Sequence, residues 1–190
     1  MMPRSLRWLP VLLTITLVPG CALQKSGAEK ALAAAEAAYA NISAEAKSVA
    51  PDAAAELETA LASARAQFAS GAFADVTKAA KDLLERIDTL AQSLPAERAR
   101  LEADWKVLTE AAPGALAALD KKLEDFGQPP AGMPERTRFD AAAATLTDAR
   151  ARWAEAETLS ATSLSKAVAL GDQVRLDAVR ALTEFGQQGS

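Results

Sequence analysis

The sequence predicts an all-α protein, a bundle of about seven helices in antiparallel hairpins. Three observations predict it. Apolar residues recur at spacings of three and four from residue 28 almost to the end, the period of helices with one buried stripe. Alanine, the strongest helix former, occurs 47 times, always after position 20. No segment alternates with a strand's period of two, and β-branched residues are sparse. Burying alanine removes little apolar area from water, so the helices are expected to make thin, close, coiled-coil-like contacts. A chain of 190 residues is long enough for one domain with a real core.

Residues 1–20 differ from the rest. Arg4 and Arg7 precede an apolar run from Trp8 to Val18, and Pro19-Gly20-Cys21 closes it. A positive start, a short apolar stretch and small residues at the end make an export signal. A spanning helix needs about 20 apolar residues, so cleavage is expected and an uncleaved anchor is the alternative. The segment Val18-Pro19-Gly20-Cys21 resembles the lipobox of bacterial lipoproteins, an aliphatic residue and two small ones before a cysteine; Pro19 departs from the usual pattern. That resemblance implies cleavage between Gly20 and Cys21, a diacylglyceryl group on the Cys21 sulfur, and a further acyl chain such as palmitate on the new amine. Two or three chains anchor durably where one is marginal. Cys21 is the only cysteine, so no internal disulfide is available to the chain. By the same resemblance, Ala22 where some lipoproteins carry Asp implies the outer membrane, facing the periplasm.

Residues 21–27 are expected to form a lipidated tether, of which 22–27 span on the order of 20 Å if fully extended, and 28–190 the helical-bundle domain. The first stripe is Ala28, Leu32, Ala35, Tyr39, Ile42, Ala46 and Val49, closed by Pro51. The second is Ala54, Leu57, Leu61, Ala64 and Phe68, closed by Ser70-Gly71. The third is Phe73, Val76, Ala80, Leu83, Ile87, Leu90 and Leu94, with an expected end at Pro95. The fourth holds Leu101, Trp105, Leu108 and Ala112, with an expected end at Pro113-Gly114. The fifth holds Leu116, Leu119, Leu123 and Phe126. Three prolines and two glycines make 127–134 a loop. The sixth is Phe139, Ala142, Leu146, Ala149, Trp153 and Ala156; the seventh is Leu164, Ala167, Gly171, Val174, Ala178, Leu182 and Phe185.

Ala64-Arg65-Ala66-Gln67-Phe68-Ala69 is echoed by Ala149-Arg150-Ala151-Arg152-Trp153-Ala154. A duplicated helical hairpin and a chance likeness of alanine-rich helices both account for it. Phe68-x-x-Gly71-x-Phe73-x-x-Val76 resembles the inner turn of a tetratricopeptide repeat, where a glycine between aromatics lets two helices fold back closely. No 34-residue period continues it. As a whole the mature chain resembles alanine-rich helical lipoproteins with tetratricopeptide-like hairpins, a family that implies no activity.

The chain has no histidine, which removes histidine general bases, histidine-dependent nucleophile systems and the usual zinc and haem ligands. There is no phosphate-binding glycine loop and no calcium-loop spacing of acids. Glu97, Glu102 and Asp104 near Trp105, and Asp120 with Glu124 and Asp125, are the acidic groupings that could hold a cation. Lys121 and Lys122 among the latter favour a solvated helix face. Trp105 and Trp153 fall within stripes and are expected to be core anchors. No catalytic residue, metal site or cofactor is assigned, and no ligand-binding residue is identified.

The net charge is −4. Removing 1–20, which hold two of the 21 basic residues and no acid, leaves 19 against 25, or −6. An acidic surface does not suit nucleic acid. The pairs Arg98 with Glu102, Arg100 with Asp104 and Asp148 with Arg152 stand four apart, as helix-surface ion pairs do. The expected protein is therefore a non-enzymatic, membrane-anchored periplasmic lipoprotein that scaffolds other envelope proteins. The alternative is a carrier or sensor with an apolar ligand or lipid in an interhelical cleft.

Overall fold

The computed structural model describes residues 20–186, and among them are five helices and no strand. α1 spans Gly20–Val49, α2 Pro51–Ala69, α3 Phe73–Phe126, α4 Pro134–Leu159 and α5 Leu164–Gly186. The all-α class stands, but the count of seven does not. Pro95 and Pro113-Gly114, expected to end helices, lie inside α3, which runs 54 residues and about 80 Å at 1.5 Å per residue.

The reason is the phase of the apolar stripe. Across Pro95 the buried residues Leu94 and Leu101 stand seven apart, and across Pro113 Ala112 and Leu116 stand four apart. Both spacings keep the stripe on one face of an unbroken helix. Each proline also points to solvent, so the carbonyl left without its helical donor, of Ala91 or of Thr109, is on the side water can reach. Pro51 differs. Val49 and Ala54 stand five apart, which throws the stripe out of phase, and Ala50 leaves helical geometry at φ −133° and ψ 63°.

Residues 22–27 form the first turns of α1. Leu23, Gln24 and Lys25 favour helix, and Ala28, one turn on, is already fully buried. As helix these six residues span about 9 Å.

α1, α2 and the first half of α3 form one three-helix unit; the second half of α3, α4 and α5 form another. Antiparallel neighbours are marked by Arg65 with Glu36 (2.6 Å) between α2 and α1, and by Arg86 with Glu56 (3.4 Å) between α3 and α2. In the second unit Arg150 pairs with Asp120 (2.6 Å) and Arg152 with Asp177 (2.9 Å). The echoed arginines Arg65 and Arg150 thus make equivalent bonds, each back to the preceding helix. The buried residues of early α3 (Val76, Ala80, Leu83, Ile87) recur with the same spacing in α5 (Ala167, Gly171, Val174, Ala178).

Each unit has its own cluster, Leu32, Tyr39, Leu57, Leu61, Leu83 and Ile87 in one, Leu108, Leu119, Leu146, Trp153 and Val174 in the other. A third cluster at the waist, with Val49, Leu94, Leu101 and Leu164, joins them. There the end of α1 meets the start of α5, and the Leu164 amide donates to Ser48 Oγ at 3.3 Å. No polar or charged residue is buried among the described residues.

The turn at Gly71 forms as expected. Its φ is +85°, the Gly71 amide donates to Phe68 O and the Ala72 amide to Gln67 O, which is a Schellman termination. Phe68 and Phe73 pack edge to face across it, centroids 5.4 Å apart.

Candidate functional site

Residues 1–19 of the expected signal peptide, which runs to Gly20, lie outside the described residues. Gly20 and Cys21, the expected cleavage and lipidation positions, begin α1. α1 runs parallel to α3, with Glu45 level with Arg98. That register puts the start of α1 level with the start of α3, at the opposite end of the molecule from the loop at 127–133. No helix among the described residues is long and apolar enough to cross a membrane.

The waist holds a cleft of about 690 Å³, bordered by Glu45, Ser48, Arg98, Glu102, Trp105 and Leu164. Arg98 Nε donates to Glu45 at 2.8 Å, and its guanidinium lies 3.8 Å from Glu102. The hydrogen bond to Glu45 holds the Arg98 guanidinium above its ordinary pKa. Trp105 is a core anchor only in part: one side lies in the core, the other lines this cleft. Its ring stacks on the buried Trp153, centroids 5.4 Å apart and planes 16° apart.

Gly171 makes room for that pair. A Cβ there would lie 3.2 Å from Trp153 and 3.4 Å from Trp105. The sequence places Gly171 in a buried stripe but carries no signal that two indoles from different helices converge on it.

The candidate acids do not gather into one site. Glu97 and Asp104 both pair with Arg100, while Glu102 faces Arg98. Asp120 reaches across to Arg150, and Asp125 is held by Lys121 at 3.0 Å. Among the described residues no group of three acids or cysteines is placed to hold a metal ion.

A polar cluster bridges α1 and α2. The Tyr39 hydroxyl donates to Ala54 O (3.3 Å) and Glu58 (3.2 Å), and Lys47 pairs with Glu58 at 2.7 Å. The Lys47 hydrogen bond lowers the pKa of Glu58 and Glu58 raises that of Lys47; burial, then Glu58, raises that of Tyr39. Tyr39 reads from sequence only as a stripe residue, and its hydroxyl finds partners only once α2 folds back.

No protein-family model, curated protein or solved structure matches this chain.

Proposed function

We propose that this protein is a bacterial lipoprotein, anchored by lipid on Cys21 and acting without catalysis as a spacer and scaffold for other proteins of the envelope, at the periplasmic face of the outer membrane. The observation that carries this reading is the 54-residue helix α3 with two further helices packed along each half. Lipid at the start of α1 would hold one end, leaving the loop at 127–133 to project several tens of ångströms away. The matched stripes and arginine pairs support a duplicated three-helix unit. The apolar-carrier alternative is less well supported, because charged Glu45, Arg98 and Glu102 border the waist cleft.

The test is metabolic labelling with a palmitate analogue, followed by membrane fractionation. The parent should be labelled, cleaved and recovered with the outer membrane, and Cys21→Ala should remain an unlabelled precursor. Normal labelling and processing of Cys21→Ala would overturn the lipid reading. Crosslinking in intact cells should capture a reproducible envelope protein; co-purifying lipid without any protein would favour the carrier.

A further inference from the structure

The waist cleft lies where the two three-helix units join. Its volume, about 690 Å³, is that of a small-molecule site, and such sites favour the seam between packed units. One face of the Trp105 ring is taken by Trp153, with centroids 5.4 Å apart, and the other side of the ring borders the cleft. That side gives the cleft a flat apolar wall.

The polar groups around that wall have bonding capacity left over. Arg98 donates through Nε to Glu45 at 2.8 Å. Glu102 stands 3.8 Å from its guanidinium, beyond hydrogen-bond reach, so the terminal N–H groups of Arg98 remain available. Ser48 Oγ accepts from the Leu164 amide at 3.3 Å and keeps its own proton to donate. Ser160 Oγ donates to Glu157 O at 2.7 Å and keeps its lone pairs to accept. Donors and acceptors thus border one cleft from three segments, the end of α1, the middle of α3 and the turn from α4 to α5.

Charge and shape together select the ligand class. The rim carries Arg98 between Glu45 and Glu102, and the hydrogen bond to Glu45 holds the guanidinium above its ordinary pKa. A cation would oppose Arg98, and an anion would oppose the two carboxylates. An apolar molecule would cover all three without partnering any. The cleft suits a neutral molecule with a flat apolar face and edge hydroxyls that both donate and accept. We propose that it binds a pyranose sugar, the apolar ring face on Trp105 and the hydroxyls on Arg98, Glu102, Ser48 and Ser160.

From Phe73 to Arg98 α3 rises about 38 Å at 1.5 Å per residue, so the cleft stands well away from the end that bears Cys21. On the lipid-anchor reading that height presents it to the glycan of a cell wall, one source of pyranose rings. A free sugar of the same compartment is the other. The ligand chemistry rests on the cleft alone; only the choice of source rests on the anchor.

The test uses the purified full-length protein in mild detergent, with chitotriose as soluble probe and purified peptidoglycan as insoluble probe. Chitotriose should bind in calorimetry with an affinity that salt leaves unchanged, because the ligand is neutral. Trp105→Ala and Glu102→Ala should each weaken binding at least about tenfold, and Trp105→Phe, which keeps a ring, by less. Glu102 is exposed, so its variant should keep the parent's helicity and melting even if Trp105→Ala disturbs the fold. Glu85→Gln, outside the cleft, should change nothing. Cosedimentation with peptidoglycan that chitotriose competes away supports the wall as source; chitotriose binding without it supports a free sugar. No binding of either probe, binding indifferent to both alanine variants, or tighter binding of choline or adenosine would each overturn the proposal. Sugar binding needs no lipid, so it and the palmitate labelling can fail separately.

Discussion

Trp105 and Trp153, from α3 and α4, stack with planes 16° apart, and the edges of both rings rest where a side chain at Gly171 of α5 would be. Three helices meet at this point, where Leu108 Cδ1 would also lie 3.5 Å from a Cβ at Gly171. Gly171→Leu should destabilise by about 1–3 kcal/mol, as overpacking does. Gly171→Ala should do less harm, because the gain in helix propensity, about 1 kcal/mol, offsets the tight contact. Urea unfolding of both variants gives the comparison.

Truncating the two indoles should not cost the same. Trp153 is 8 % exposed and surrounded by core, so Trp153→Ala should lose about 3–5 kcal/mol. Trp105→Ala should lose clearly less, because part of its ring already faces the waist cleft. Equal losses by chemical denaturation would contradict this placement.

At Gly71 the cost of substitution is in the backbone alone. Its φ is +85° and a Cβ would meet nothing within 4 Å. Gly71→Val should therefore cost about 1 kcal/mol or more, while Gly71→Asn, which tolerates the left-handed region, should be milder. Thermal melts should rank them parent, Asn, Val.

Pro95 and Pro113 are exposed and internal to α3. Proline costs about 3 kcal/mol against alanine in a helix interior, part of which local bending relieves. Pro95→Ala should accordingly raise stability by about 1–3 kcal/mol and leave the helix content unchanged. A loss of stability would mean that the proline itself is needed for packing at the waist.

The Lys47–Glu58 pair makes a small pH-dependent contribution. Glu58 titrates below its ordinary 4.5, so its stabilisation is present above that pH and is lost as pH falls through the lowered value. Lys47 titrates above 10.5, so its share is present below that and is lost as pH rises further. Lys47→Met should flatten the acid side of the stability curve. Tyr39, the only tyrosine, can be followed by ultraviolet titration; Glu58→Gln should lower its pKa yet leave it above 10.0, because burial is the larger cause.

The sequence by itself determined the helical class and most of the buried faces, because each depends on local periodicity. Leu57, Leu61, Leu83, Leu146 and Val174 fall inside as their spacing requires. It also determined the stops at Pro51 and Gly71, where a broken stripe or a left-handed backbone adds to the local signal. At Pro95 and Pro113 the local proline signal is outweighed by the phase of the stripe, which Leu94 and Leu101 keep on one face. Only the tertiary structure decided which acid meets which arginine across helices, that two tryptophans 48 residues apart share the space at Gly171, and that Val107, Leu176 and Val179 stay uncovered. Those are relations between helices, set by how the stripes dock, and no periodicity within one helix encodes its neighbour's height or angle.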